Sequence, residues 1–168
     1  MNASINTLVF VVIMGIGATM VMDLWLQVQK QLKIPTLNFA FLGRWVSHVL
    51  RGTWHHPNIA QSEPIPHETA MGWLAHYLIG IVFAFLLAAF AGTSWLASPT
   101  PGPALLTGIV TLAAPLFILQ PAMGSGIASS KTKTPALNCV KSLANHLVFG
   151  GGLYLAAKIT AMLNLQLN

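Results

Sequence analysis

Asp23, His76, Lys141, Asn145 and His146 stand inside apolar runs long enough to cross a bilayer, and Glu68 and Gln120 mark the ends of two such runs. An ionisable group at membrane depth must be neutralised, paired or hydrated, which makes it a functional-site candidate by default. A carboxylate, two imidazoles and an ammonium are the parts of a site for a polar ligand or an ion, or of a proton relay. Histidine suits a relay because its charge changes near physiological pH. The same groups have a structural use, with Asp23 and Lys141 as an ion pair near the headgroups and both histidines hydrogen-bonded across helices.

Metal chemistry is a further reading. His76 and His146 are each followed four residues on by a glycine, Gly80 and Gly150. On neighbouring parallel helices they could be axial ligands of a haem b, with the glycines admitting the macrocycle. A divalent metal could instead use His76, His146 and Asp23, or the loop set His55, His56, Glu63, His67 and Glu68, with mixed nitrogen and oxygen ligation. The chain has no HExxH, GxSxG, phosphate-binding glycine loop or DxxD pair, so catalysis has the least support among the function classes. Cys139 is the lone cysteine, which excludes an intrachain disulfide.

The elements that must position these groups follow from composition. The 168 residues are 55% hydrophobic and 7% charged, with a mean hydropathy of +0.69. That describes a chain solvated by lipid rather than a soluble domain. The net charge is +5, but the positive residues are spread over loops beside apolar segments, which is the pattern of membrane topology and not of nucleic-acid binding. Four segments have the length of a span: about 7–26, 69–92, 104–120 and 136–157. The first lacks the basic leading region of a signal peptide and reads as a retained span. The expected fold is all-α, a polytopic bundle of four transmembrane helices forming one domain over 1–168.

Lys30, Lys33, Arg44 and Arg51 lie between the first two spans and Lys131 and Lys133 between the last two, while the second loop has no charge. The positive-inside rule then places the first and third loops in the cytoplasm and both termini in the periplasm. Within the first loop, residues 39–51 repeat apolar positions at helical spacing, with Arg44, His48 and Arg51 opposite. This predicts a short amphipathic helix, capped by Asn38, lying on the inner leaflet or folded back over the mouth of the bundle. Pro115 predicts a kink in the third span.

Stripes of spacing four run along the helices. Gly72, His76, Gly80, Ala84, Ala88 and Gly92 form one on the second span, and Asn138, Ser142, His146, Gly150, Tyr154 and Lys158 form one on the fourth. Small residues at this spacing let helices approach closely, so Gly72, Gly80, Ala84, Ala88, Gly92 and Gly150 are expected at packing surfaces. The topology puts Asp23, Glu68, His76, Gln120, Lys141, Asn145 and His146 in the cytoplasmic half, with the two histidines at similar depth.

The phrases GATMVMDLW, GRWVSHVLRG, PHETAMGWLAHYLIGI, QPAMGSGIA and HLVFGGGLYLAA together resemble a family of four-span bacterial inner-membrane proteins grouped under a domain of unknown function. The resemblance covers nearly the whole chain and implies the architecture and a bacterial inner membrane, but no catalytic or binding residue. The expectation is therefore an inward-facing polar site handling a small ligand, an ion or protons, as a transporter or accessory subunit. Four short spans enclose little volume, so a homo-oligomer or a larger membrane complex is expected, with the Gly/Ala stripe of the second span as the contact. A haem or metal electron-transfer protein and a purely structural membrane subunit are the alternatives, and whether His55, His56 and His67 join the site stays open.

Overall fold

The computed structural model describes residues 2–166, with side chains described over 6–163. Helices α1 (Asn2–Gln31), α2 (Phe39–Val49), α3 (Glu68–Ala97), α4 (Pro101–Thr111), α5 (Gln120–Ala122) and α6 (Pro135–Gln166) form the fold, and the described residues contain no strand. Four stretches are long and apolar enough to span a membrane: Asn6–Gln31, Glu68–Ala97, Pro101–Ala122 and Pro135–Leu163. Helical backbone is what an apolar solvent demands, because every peptide group finds its partner within the segment. The all-α membrane architecture read from composition is thus the observed one.

The third span is composite. After α4 the chain passes through a π-helical turn, Ala114–Leu119, before α5. Pro115 sits in that turn and has no N–H to give, so the register of hydrogen bonds widens around it. The expected distortion at Pro115 takes this form. In α3 a second break occurs at Gly92, whose φ of 78° and ψ of 171° interrupt the helix. A side chain there would be strained, and glycine is the residue that adopts this conformation without penalty.

α1 is the centre of the bundle and packs against both α3 and α6, while α4 packs chiefly against α6 and α3 meets α6 through Phe83 on Phe149. The crossings are made by small residues. A Cβ on Gly80 would overlap the hydroxyl of Thr19, and one on Gly15 would press on the backbone of Ile81 and on Ala84. Thr19 is itself buried and donates its hydroxyl to the carbonyl of Gly15 at 2.8 Å. Gly108 and Gly150 do the same for α4 and α6. The Gly80–Ala84 part of the stripe is thus covered by α1 of the same chain, and it is not free to be the contact for a second copy. Gly72 belongs to another contact, and Ala88 is partly buried against the core.

That other contact is α2 on α3. A Cβ on Gly72 would overlap the carbonyl of Phe39, and one on Gly43 the carbonyl of Glu68. α2 is amphipathic, as its spacing predicts, and Asn38 caps it by accepting from the amide of Ala40 at 3.0 Å. Its orientation differs from the expected one. Gly43, Arg44 and Ser47 are buried together with Phe39 and Leu42, so Arg44 faces the bundle and not the solvent. The pair Gly43 and Ser47, small and four apart, is the packing face, and Arg44 goes inward with it. The segment between α2 and α3 returns over the end of the third span, where the amide of His56 donates to the carbonyl of Ala122 at 2.8 Å and that of Ile59 to Met123 at 3.1 Å.

Candidate functional site

Asp23 lies in the second half of α1, facing the first turns of α3. Its Oδ1 is 2.9 Å from Nε2 of His76, and its Oδ2 accepts from the hydroxyl of Tyr77 at 2.8 Å. The side chains of His76 and Asp23 are only 13% and 18% exposed, so the pair is largely removed from surroundings outside the protein. An ionised carboxylate only accepts, so this contact places a proton on Nε2 of His76. Aromatic rings enclose the imidazole. Phe39 of α2 is 4.7 Å from it between centroids, Trp73 6.0 Å and Tyr77 5.8 Å, and Phe39 stacks on Trp73 at 4.2 Å. Acid, imidazole and phenol thus form one hydrogen-bonded chain between α1 and α3, with aromatic rings beside it.

The other expected site residues go elsewhere. The side-chain oxygen of Asn145 accepts from Nε1 of Trp25 at 2.9 Å and from the amide of Gln29 at 2.5 Å, which ties α6 to the end of α1. His146 turns away from α1, with Nδ1 3.1 Å from the hydroxyl of Thr111 on α4 and its ring 6.4 Å from that of Phe83. Gln120 donates to the hydroxyl of Ser142 at 3.4 Å, while its Oε1 is buried without a partner. Lys141 makes no ion pair among the described residues, and Asp23 spends both oxygens on His76 and Tyr77 instead of meeting Lys141.

Two expectations are corrected here. The single convergent site dissolves into separate clusters, with Asp23 and His76 in one, Asn145 in a second and His146 in a third. The matched histidines also do not face each other, since His76 bonds to Asp23 of α1 and His146 to Thr111 of α4. That geometry does not suit two axial ligands of one haem. Among the described residues no three His, Cys, Asp or Glu side chains gather as a metal site would need.

Glu68 is corrected as well. Both of its oxygens are held by Arg44, Nε to Oε2 and Nη2 to Oε1, each at 2.8 Å. The remaining nitrogen of Arg44 donates to the carbonyls of Ile59, Ala60 and Ser62 at 3.0–3.3 Å. Hydrogen bonding to Glu68 raises the guanidinium above its already high value. Glu68 therefore anchors the segment that closes this end of the bundle, outside the Asp23–His76 cluster. Reasoning from the sequence missed Tyr77, Arg44, Trp25 and Gln29. Tyr77 carried a signal, since a phenol next to an intramembrane histidine reaches the same acceptor.

Of the loop histidines only His56 is buried, and its Nε2 lies 2.7 Å from Nδ1 of His48. Nδ1 of His56 has no partner. Burial pushes the His56 imidazole below its ordinary 6.5, and the neighbouring His48 adds to this. The unfolded chain therefore binds more protons than the folded one as pH falls through about 6.5, and stability present above that value is lost below it. Between about pH 7.5 and 5.5 the unfolding temperature of the detergent-solubilised protein is expected to fall further than that of His56→Gln, which has no titrating group there. Parallel curves for the two proteins would contradict this.

The family described as Protein of unknown function (DUF2938) matches residues 12–160. The match covers α2 and the two middle spans and most of the first and last, and the chain belongs to this family. No curated protein and no solved structure matches the chain.

Proposed function

We propose that this member of the DUF2938 family handles protons in a bacterial inner membrane, as a transporter or as the proton-binding accessory subunit of a larger complex, with Asp23, His76 and Tyr77 as the working groups. The observation that carries this reading is the contact of one carboxylate with an imidazole and a phenol between two spans, at 2.9 and 2.8 Å. Intramembrane carboxylate and histidine side chains in contact are the ordinary parts of proton relays in pumps and transporters. A buried polar contact that served packing alone has apolar substitutes of similar volume that are often no less stable. The cluster lies toward the end of α1 that leads to the basic first loop, which the positive-inside rule assigns to the cytoplasm, with both termini periplasmic. The surrounding helices leave many large apolar side chains exposed, among them Leu24, Leu78, Val82 and Phe90, as lipid or a further protein chain requires.

The test is proton flux into liposomes that hold a pH-sensitive dye. Liposomes containing the wild-type protein should dissipate an imposed pH gradient faster than protein-free ones. Asp23→Asn and His76→Ala should reduce that rate by at least tenfold, and Tyr77→Phe by less, because the carboxylate keeps one partner. Wild-type flux equal to that of protein-free liposomes, or undiminished flux in Asp23→Asn, would sink the proposal.

A further inference from the structure

We propose that the open pocket where α1, α2 and α3 meet binds the phosphodiester headgroup of an anionic membrane lipid. The cavity has a volume of about 300 Å³; Lys30, Thr36, Asn38 and Thr69 supply its polar lining, and Phe39 and Trp73 stand in its apolar wall. That size lies at the lower end of ligand sites, enough for a headgroup while the acyl chains stay outside.

Position is the first reason. Lys30 lies in the last turn of α1, whose apolar span ends at Gln31, and Thr69 and Trp73 lie in the first turns of α3, whose span begins at Glu68. The pocket is therefore at the level where hydrocarbon gives way to headgroups, the depth at which tryptophan is enriched.

Charge is the second. Lys30 is the one ionisable group that lines the cavity, and it makes no ion pair among the described residues. The nearest acid in sequence to Thr69 is Glu68, and Arg44 already holds both of its oxygens. The hydroxyls of Thr36 and Thr69 also have no hydrogen bond to the rest of the described protein and can donate to phosphate oxygens, while Lys30 neutralises them.

The apolar wall is the third reason, and it favours a lipid over a soluble phosphate. Leu37 and Trp73 are 41% and 38% exposed, and Leu74 and Leu78 continue up the outside of α3 at 55% and 52%. An acyl chain leaving the pocket would lie along these side chains. A zwitterionic headgroup would bring an ammonium toward Lys30, so the site selects net negative lipids.

The experiment is native mass spectrometry of the full chain in neutral detergent, with short-chain phosphatidylglycerol, phosphatidylcholine or inorganic phosphate added. The wild type should retain phosphatidylglycerol in preference to phosphatidylcholine. Lys30→Ala should weaken that binding about tenfold, or about 1.4 kcal/mol. Lys33→Ala, which removes an exposed charge outside the pocket, should bind as the wild type does. Equal binding by Lys30→Ala and wild type would overturn the proposal, and so would equal losses in both variants, which indicate general charge attraction. Lys30-dependent binding of inorganic phosphate without a preference for phosphatidylglycerol would overturn the lipid as the source. Lys30 is exposed and outside the packed core, so both variants should fold, and the result does not depend on proton flux.

Discussion

Replacing Arg44 with methionine is expected to destabilise the detergent-solubilised protein by roughly 3–5 kcal/mol and to open the segment between α2 and α3 to proteases. Methionine follows the path of the aliphatic stem but leaves the Glu68 carboxylate, 18% exposed, without its partner. It also strands the carbonyls of Ala60 and Ser62 and removes one of the two donors to that of Ile59, which keeps the amide of Ser62. Lysine should rescue little, because a single ammonium cannot reproduce the two parallel bonds to Glu68 and the three carbonyl contacts together.

The penalty should be strongly non-additive. In Arg44→Met with Glu68→Gln the uncompensated charge is gone, so the double variant should be more stable than Arg44→Met alone. Thermal unfolding measures the stability, and limited proteolysis between residues 52 and 67 reports the detachment. Protease resistance equal to the wild type in Arg44→Met would show that the backbone bonds of His56 and Ile59 to the third span suffice to hold the segment.

Arg44 also shows why some of this structure was legible in the sequence and some was not. The spans were readable because a membrane helix must be continuously apolar over a fixed length, a property of one segment by itself. The turn at Pro115 was readable for the same reason, since proline breaks its own helix. Partnership is different. Spacing of four says which residues share a stripe but not which helix the stripe faces, so His76 and His146 looked alike while one turned to Asp23 and the other to Thr111. Arg44 looked solvated because charge ordinarily marks the outer face of an amphipathic helix. Here the close approach at Gly43 and Gly72 sets the rotation of α2, and an acid 24 residues away makes the buried face the better place for arginine. Glu68 was read as part of the intramembrane site because it begins a span, yet a residue at a helix start is free to turn outward to a loop.

The second large effect separates a working cluster from a packing device. Asp23→Leu should destabilise the protein by about 1–3 kcal/mol for each donor it strands, His76 and Tyr77 being the two. It should also abolish proton flux, but loss of flux in a destabilised protein proves little. The triple variant Asp23→Leu, His76→Leu, Tyr77→Phe removes donors and acceptor together and leaves an apolar contact between α1 and α3. Replacing a satisfied buried polar group by apolar side chains of similar volume is often neutral or stabilising, so the triple variant should unfold at or above the wild-type temperature. Its flux should nonetheless stay at the level of protein-free liposomes. If the cluster only fixes the register of α1 on α3, the contact of Gly80 with Thr19 already does that work one turn away. The triple variant would then carry protons as well as the wild type does, and the groups would have to be reassigned as structural. A stable triple variant that is proton-silent where the wild type conducts is the outcome that only a functional role produces.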